Sequence, residues 1–215
     1  MLVLSAISSA KSTATTSVYV DPETYEVSGL GQTFTINVTV AEVTDLCAWE
    51  FQLFYNSTHL NGTDVGEGPF LKTAGATFFW VVNMTDNYNA THGYIHAFCI
   101  LTPVIPGANE TGVIANVTFK SKAPGSSILD LTDTKLKNSE GEYMSHETRD
   151  GIIIVKMLGD VNGDGKVNYK DLYLLLIAYG SSEEDPNYNP EADFNRDGKV
   201  NYKDLYILLV NYGKT

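Results

Sequence analysis

"DVNGDGKVNYKDLY", residues 160–173, returns as "DFNRDGKVNYKDLY" at residues 193–206. Within the first copy, oxygen-bearing side chains fall at alternate places of a twelve-residue loop. Asp160, Asn162 and Asp164 stand at positions 1, 3 and 5, Asn168 at 9 and Asp171 at 12. The second copy places Asp193, Asn195, Asp197, Asn201 and Asp204 in the same order. Position 6 is glycine in both, Gly165 and Gly198, where the chain must turn sharply. Position 7, Lys166 or Lys199, offers its main-chain carbonyl. Such a ladder suits calcium, which takes about six to eight hard oxygens at loose geometry. Two ladders predict two ions. A pair of Asn/Asp/Gly turns opening helices is the plainer reading, but it leaves the recurrence of the whole ladder unexplained. The closing residue is aspartate where an ordinary EF-hand has the longer glutamate, and no helix is evident ahead of either loop.

The segments that follow, "YKDLYLLLIAYG" and "YKDLYILLVNYG", are apolar around nearly their full circumference. A helix packed only on its twin needs one apolar stripe. Leu172, Leu175 and Tyr179 share one face, Tyr173, Leu176 and Ile177 another, and a module of fewer than about 60 residues cannot bury both. One face is therefore expected to meet a partner, the alternative being a tightly packed pair with some exposed leucine. Gly180 and Gly213 are read as helix stops.

A calcium loop followed by one helix, twice over residues 158–215, resembles the dockerin module, the small calcium-dependent plug that binds cohesins. The resemblance implies partner contacts at loop positions 10 and 11 and along the next helix. Here those are Tyr169, Lys170, Leu176 and Ile177, and in the copy Tyr202, Lys203, Leu209 and Val210. Many type I dockerins carry hydroxyl pairs at positions 10 and 11, and Tyr-Lys departs from that.

Upstream, residues 17–157 read as strands. In "TFTINVTV", Phe34, Ile36, Val38 and Val40 fall on one face and Thr33, Thr35, Asn37 and Thr39 on the other. Likewise Trp49, Phe51, Leu53 and Tyr55 point inward, as do Val113, Ala115, Val117 and Phe119. "GIIIVKM" suits a strand buried on both sides. Two packed antiparallel sheets follow as the expected architecture. The order "GQTFTINVTVAEVTDLCAWEFQLFYNSTHL", "GVIANVTFKSKAPGSSILDL" and "DGIIIV" resembles a cohesin, the jelly-roll β-sandwich that receives dockerins. The expected fold is thus mainly β, a sandwich over residues 17–157 joined to a small all-α module over 158–215. Almost no linker separates them, which predicts a stiff relative orientation.

The net charge of -12 comes without a basic stripe, which argues against nucleic acid. No apolar run approaches the roughly 18 residues of a membrane span. Asn-x-Thr sequons occur at Asn37, Asn56, Asn61, Asn83, Asn89, Asn109 and Asn116, a density that predicts an extracellular, N-glycosylated domain. A threonine-rich β surface without sugar is the alternative. In that setting Cys47 and Cys99 are expected either to form one disulfide or to stay as two buried thiols. Residues 1–16 resemble the tail of a secretory signal, or else form an ordered segment packed on this sheet or a neighbouring subunit.

Catalysis finds no support: His59, His92, His96 and His146 lack metal spacing, and neither GxSxG nor HExxH occurs. Trp80 and Tyr88 could stack on sugar, although Phe78, Phe79 and Trp80 read as a core strand. The expected role is an extracellular assembly protein whose plug enters the cohesin-like domain of another copy, giving a homopolymer. An adaptor docking onto a different protein, or a carbohydrate-binding domain carried by a dockerin, is the alternative.

Overall fold

Thr33–Asn56 forms one strand of 24 residues, β3, and its length organises the molecule. A computed structural model describes residues 15–103 and 106–215; the expectation for residues 1–16 falls almost wholly outside the described residues. The strands are β1 (Ser17–Asp21), β2 (Thr24–Ser28), β3, β4 (Leu60–Glu67), β5 (Thr77–Thr85), β6 (His92–Leu101), β7 (Ala108–Ser121), β8 (Gly125–Asn138), β9 (Glu147–Arg149) and β10 (Gly151–Lys156). Two helices follow, α1 (Tyr169–Ala178) and α2 (Tyr202–Asn211).

The first half of β3 pairs with β1 and β7, and its second half with β6 and β8. Register shifts between Val38 and Leu46 separate the halves, with Glu42 at φ 52 and Asp45 at φ 62. Bulges of this kind bend a strand and increase its twist. One strand thereby serves two layers: β8-β3-β6-β5 on one side and β9-β1-β3-β7-β4 on the other. β2 and β10 extend the sheet beyond β8. The jelly-roll expectation holds, with one amendment. Two short pairs, β1 with β9 and β2 with β10, are parallel, because the chain changes layer between Asp21 and Thr24.

Trp49, Tyr55, Phe51, Phe119, Ile36, Leu46 and Leu53 are fully buried between the layers, each stabilising the fold by about 1.5–3 kcal/mol relative to exposure. The alternation expected for β3 is observed except at Thr39, which is buried along with Val38 and Val40. On β7 it fails at Val113, which is only half-buried while Ile114 takes the core position. The cause is the register shift opposite Val38 and Thr39, which reverses the facing of the residues before it. β10 alternates too: Ile153 and Val155 are buried, whereas Ile152 and Ile154 are half-covered. Ile154 turns outward into a cleft at the base of the sandwich, shared with Asp160 and Asn162–Gly165.

Cys47 and Cys99 form no disulfide although both are buried. Strand register explains this, since Cys99 lies opposite Trp49, and Cys47 is two places before Trp49 on β3. Burial, then the Glu67 carboxylate 3.5 Å away, pushes the Cys99 thiol up to about 12, so it stays protonated and unreactive near neutral pH.

The helical part has its own core of Met157, Val161, Val167, Leu175, Ala178, Ala192, Val200 and Leu208. It is fixed to the sandwich without a spacer. Lys156, the last residue of β10, reaches Glu26 at 3.1 Å and Glu191 at 3.0 Å, Arg196 approaches Glu26 at 3.8 Å, and Gly29 N–H donates to the Lys156 carbonyl at 2.8 Å.

Candidate metal loops and docking surfaces

Each loop is organised around its last aspartate. Asp171, wholly buried, accepts from Val161 N–H (3.0 Å) and Asn162 N–H (3.2 Å) on one oxygen and from Asn168 N–H (2.8 Å) on the other. Asp204 repeats this with Phe194 (3.0 Å), Asn195 (3.4 Å) and Asn201 (2.9 Å). The first aspartates draw in the middle of each loop: Asp160 accepts from Gly165 N–H at 2.8 Å and Asp193 from Gly198 N–H at 2.9 Å. Gly165 (φ 77) and Gly198 (φ 80) supply the left-handed turn. Asn162 and Asn195 then accept from the main chain of Asp164 (2.9 Å) and Asp197 (3.0 Å).

The ladder seen in the sequence is therefore gathered into two compact loops. Burial holds the Asp160 carboxyl above the usual carboxylate range. Carboxylates buried this way are costly unless a cation or donors compensate them. Lys170 and Lys203 only flank the loops, 3.8 Å from Asp164 and 2.9 Å from Asp197. A hard, oxygen-seeking divalent ion fits the donor set. Among the described residues no three His, Cys, Asp or Glu side chains make a centre by themselves. Any ion here must also use the amide oxygens of Asn162 or Asn195 and the Lys166 or Lys199 carbonyl. Asn168 and Asn201 are differently employed. Each is the N-cap of its helix, accepting from Lys170 N–H (3.0 Å) or Lys203 N–H (2.9 Å) within a capping box completed by the aspartate. An oxygen so engaged suits the water-bridged role that position 9 often has in calcium loops.

The loops are also tied to the far ends of the opposite helices. Val167 exchanges main-chain bonds with Gly213 (2.8 Å) and Lys214 (3.0 Å), and Val200 with Gly180 (2.8 Å) and Ser181 (3.0 Å). The two halves thus brace each other about a pseudo-twofold. Leu175 and Leu208 fill the space between them, while Leu176 and Leu209 are each 53% exposed. Tyr169, Tyr173 and Ile177, and their counterparts Tyr202, Tyr206 and Val210, are exposed beside them. Tyr179, grouped by helical spacing with Leu172 and Leu175, does not join the buried Leu175 but is exposed, because α1 ends at Ala178 and Tyr179 is extended at φ -61, ψ 129.

A second apolar surface lies on the sandwich. Phe78 and Trp80, read from sequence as a core strand, point outward from the edge strand β5 at 48% and 56% exposure, and Val82 joins them. Strand register sets Trp80 opposite Phe98 and Phe78 opposite Ile100 on β6. Phe78 stacks on Trp80 with ring centroids 6.3 Å apart. Beside this patch, Glu50 of β3 takes His96 at 2.9 Å and Lys135 of β8 at 3.3 Å, and Lys135 also reaches Asp133 at 3.2 Å. Sequence reasoning offered Trp80 only as a sugar-stacking alternative and missed the face as a whole. Phe79 and Val81 also pack on the core, so β5 is apolar on both sides, and no periodicity marks its outer row as exposed.

Of the sequon asparagines, Asn83, Asn89 and Asn109 are exposed and Asn37, Asn56, Asn61 and Asn116 half-buried. Asn37 and Asn116 are register partners on the opposite layer, bonded side chain to side chain at 2.7 Å. Among the described residues no helix is long and apolar enough to cross a membrane.

Comparison with known proteins places this geometry. The family model described as the cohesin domain matches residues 18–155, and that of the dockerin type I domain matches residues 158–211. Among solved structures, a non-cellulosomal cohesin from the hyperthermophilic archaeon Archaeoglobus fulgidus is 15% identical, with a TM-score of 0.52, over 66% of this chain and 91% of that one. The seventh ScaB type I cohesin from Pseudobacteroides cellulosolvens is 20% identical, with a TM-score of 0.53, over 66% and 92%. The Coh-OlpC–Doc435 type I cohesin–dockerin complex from Clostridium thermocellum aligns at 14% identity and a TM-score of 0.53, over 71% of this chain and 100% of that one. At these identities the likeness is one of fold. No curated protein matches the chain.

Proposed function

The chain belongs to the cohesin family and carries a type I dockerin domain after it, and from that premise we propose that it is a self-assembling subunit whose dockerin plugs into the cohesin of the next copy. Cohesin and dockerin are non-catalytic interaction modules, and their presence implies protein–protein docking. The observation that carries the finer reading is the pair of exposed apolar surfaces on one chain. Leu176 and Ile177, or Leu209 and Val210, form one; Phe78, Trp80 and Phe98 form the other. Association removes both from water, at about 25 cal/mol per Å² of apolar area before the costs of ordering are met.

Two different patches joined head to tail form a heterologous contact, which extends as a filament unless its rotation closes a ring. The ion pairs of Lys156 and Arg196 at the junction support a constant rotation from copy to copy. Two calcium ions hold the plug in shape. Asp160, Asn162, Asp164, the Lys166 carbonyl, Asn168 and Asp171 would hold one. Asp193, Asn195, Asp197, the Lys199 carbonyl, Asn201 and Asp204 would hold the other. When bound, calcium neutralises the buried carboxylates and so stiffens both loops. The protein works outside the cell and bears N-linked glycans.

Sedimentation velocity tests the reading. In calcium the purified chain is expected to run as polymers whose size grows with concentration, and in chelator as a monomer. A monomer under both conditions would sink self-assembly.

A further inference from the structure

The aromatic face carries a sequon within its apolar patch. Asn83 lies on β5, exposed, and directly opposite His96 in the strand register. Trp80 and Phe98 form the neighbouring pair on that face, roughly 7 Å away by the spacing of same-face residues in a strand. A register shift between Val81 and Asn83 turns both Val82 and Asn83 outward. Among the described residues the Asn83 side chain takes no hydrogen bond.

The other sequons differ. Asn37, Asn61 and Asn116 stand on the opposite layer, along β3, β4 and β7. Asn109 is engaged at the strand corner, donating to the Gly107 carbonyl at 3.2 Å and accepting from Asp45 N–H at 3.0 Å. Asn56 and Asn89 lie at the far end of the aromatic layer, each folded into a turn by a bond from the N–H of its own sequon threonine at 3.0 or 2.9 Å. Sugars at those positions leave the Phe78–Trp80–Phe98 patch open.

We propose that N-glycosylation of Asn83 switches the socket: a bare Asn83 admits the plug, and a glycan on Asn83 excludes it. This rests on the self-docking reading above. A glycan is bulky and strongly hydrated. Standing one residue pair from Trp80, it occupies the space the plug helix must enter and keeps water on surface that docking has to dry. The state of one side chain then divides the subunits into those that extend a filament and those that end it, since a subunit with a blocked socket still has a free plug.

The test uses the full chain made in an N-glycosylating host, separated in calcium into docked and undocked fractions by sedimentation, with site occupancy read by glycopeptide mass spectrometry. Receptor sockets are isolated by capture on immobilised bare Trp80→Asp chain, whose plug is intact and whose own socket is dead, so that a soluble molecule is held only through its socket. Captured molecules are expected to show at least ten-fold lower occupancy at Asn83 than uncaptured ones, with equal occupancy at Asn56 and Asn89. Asn83→Gln and, separately, Thr85→Ala are each expected to move the uncaptured molecules into the captured pool. Equal Asn83 occupancy in both pools, or no glycan on Asn83 in either, overturns the switch. An immobilised Trp80→Asp chain that captures nothing, not even soluble bare wild-type chain, contradicts the self-docking reading and removes the switch with it.

Discussion

Replacing Asp171 and Asp204 together with alanine should unfold the C-terminal module while leaving the sandwich folded. Each carboxylate is wholly buried and takes three main-chain N–H groups, joining the first residues of its loop to the N-cap of the helix that closes it. Truncation strands those donors, at about 1–3 kcal/mol for each one left unsatisfied in the interior, and removes half of a capping box worth about 1 kcal/mol. A module this small has little reserve. Circular dichroism is the direct readout. The helical signal should be lost in calcium as well as in chelator, while the thermal transition of the sandwich stays where it was. Helices that survive the double substitution would mean that the loops are not what holds them.

The second large effect concerns the plug surface. Leu176 and Leu209 occupy equivalent places about the pseudo-twofold, equally exposed, so aspartate at either costs the monomer little. With two equivalent faces to offer, Leu209→Asp alone should weaken docking by about two-fold, the loss of one binding mode. Leu176→Asp with Leu209→Asp should weaken it by more than about 100-fold, because every mode then buries an unpaired charge at about 3–5 kcal/mol. Titration calorimetry against immobilisation-free sandwich carrying Trp80 intact would separate the cases. A full loss from the single substitution would show that only one helix is used.

The two loops were legible because the spacing that suits calcium lies on the chain itself, and Asp160 through Asp171 carry it in twelve consecutive residues. What spacing could not show was the division of labour inside the loop, where Asn168 and Asn201 serve as helix caps. The sandwich was legible wherever one face of a strand is buried and the other wet, as along β3. It was misread where that contrast fails. Ile152 and Ile154 looked doubly buried, yet both are half-covered, and Ile154 borders the junction cleft. Val113 lost its place to a bulge, which slips register without leaving any mark in hydropathy. The outward aromatic face of β5 was least legible of all. Phe78 and Trp80 differ from Phe79 and Val81 only in lying on the outer side of an edge strand, and edge position is a property of topology. The pairing of Cys47 with Cys99 likewise turned on a register that composition does not encode.

The most direct measurement mixes two crippled subunits. A plug-dead chain (Leu176→Asp with Leu209→Asp) and a socket-dead chain (Trp80→Asp) are each expected to sediment as monomers in calcium. Combined in equal amounts, they should form a one-to-one dimer, the intact plug of one in the intact socket of the other, which grows no further and falls apart in chelator. A mixture that remains two monomers in calcium, beside wild-type chain that polymerises, would contradict head-to-tail docking of plug into socket.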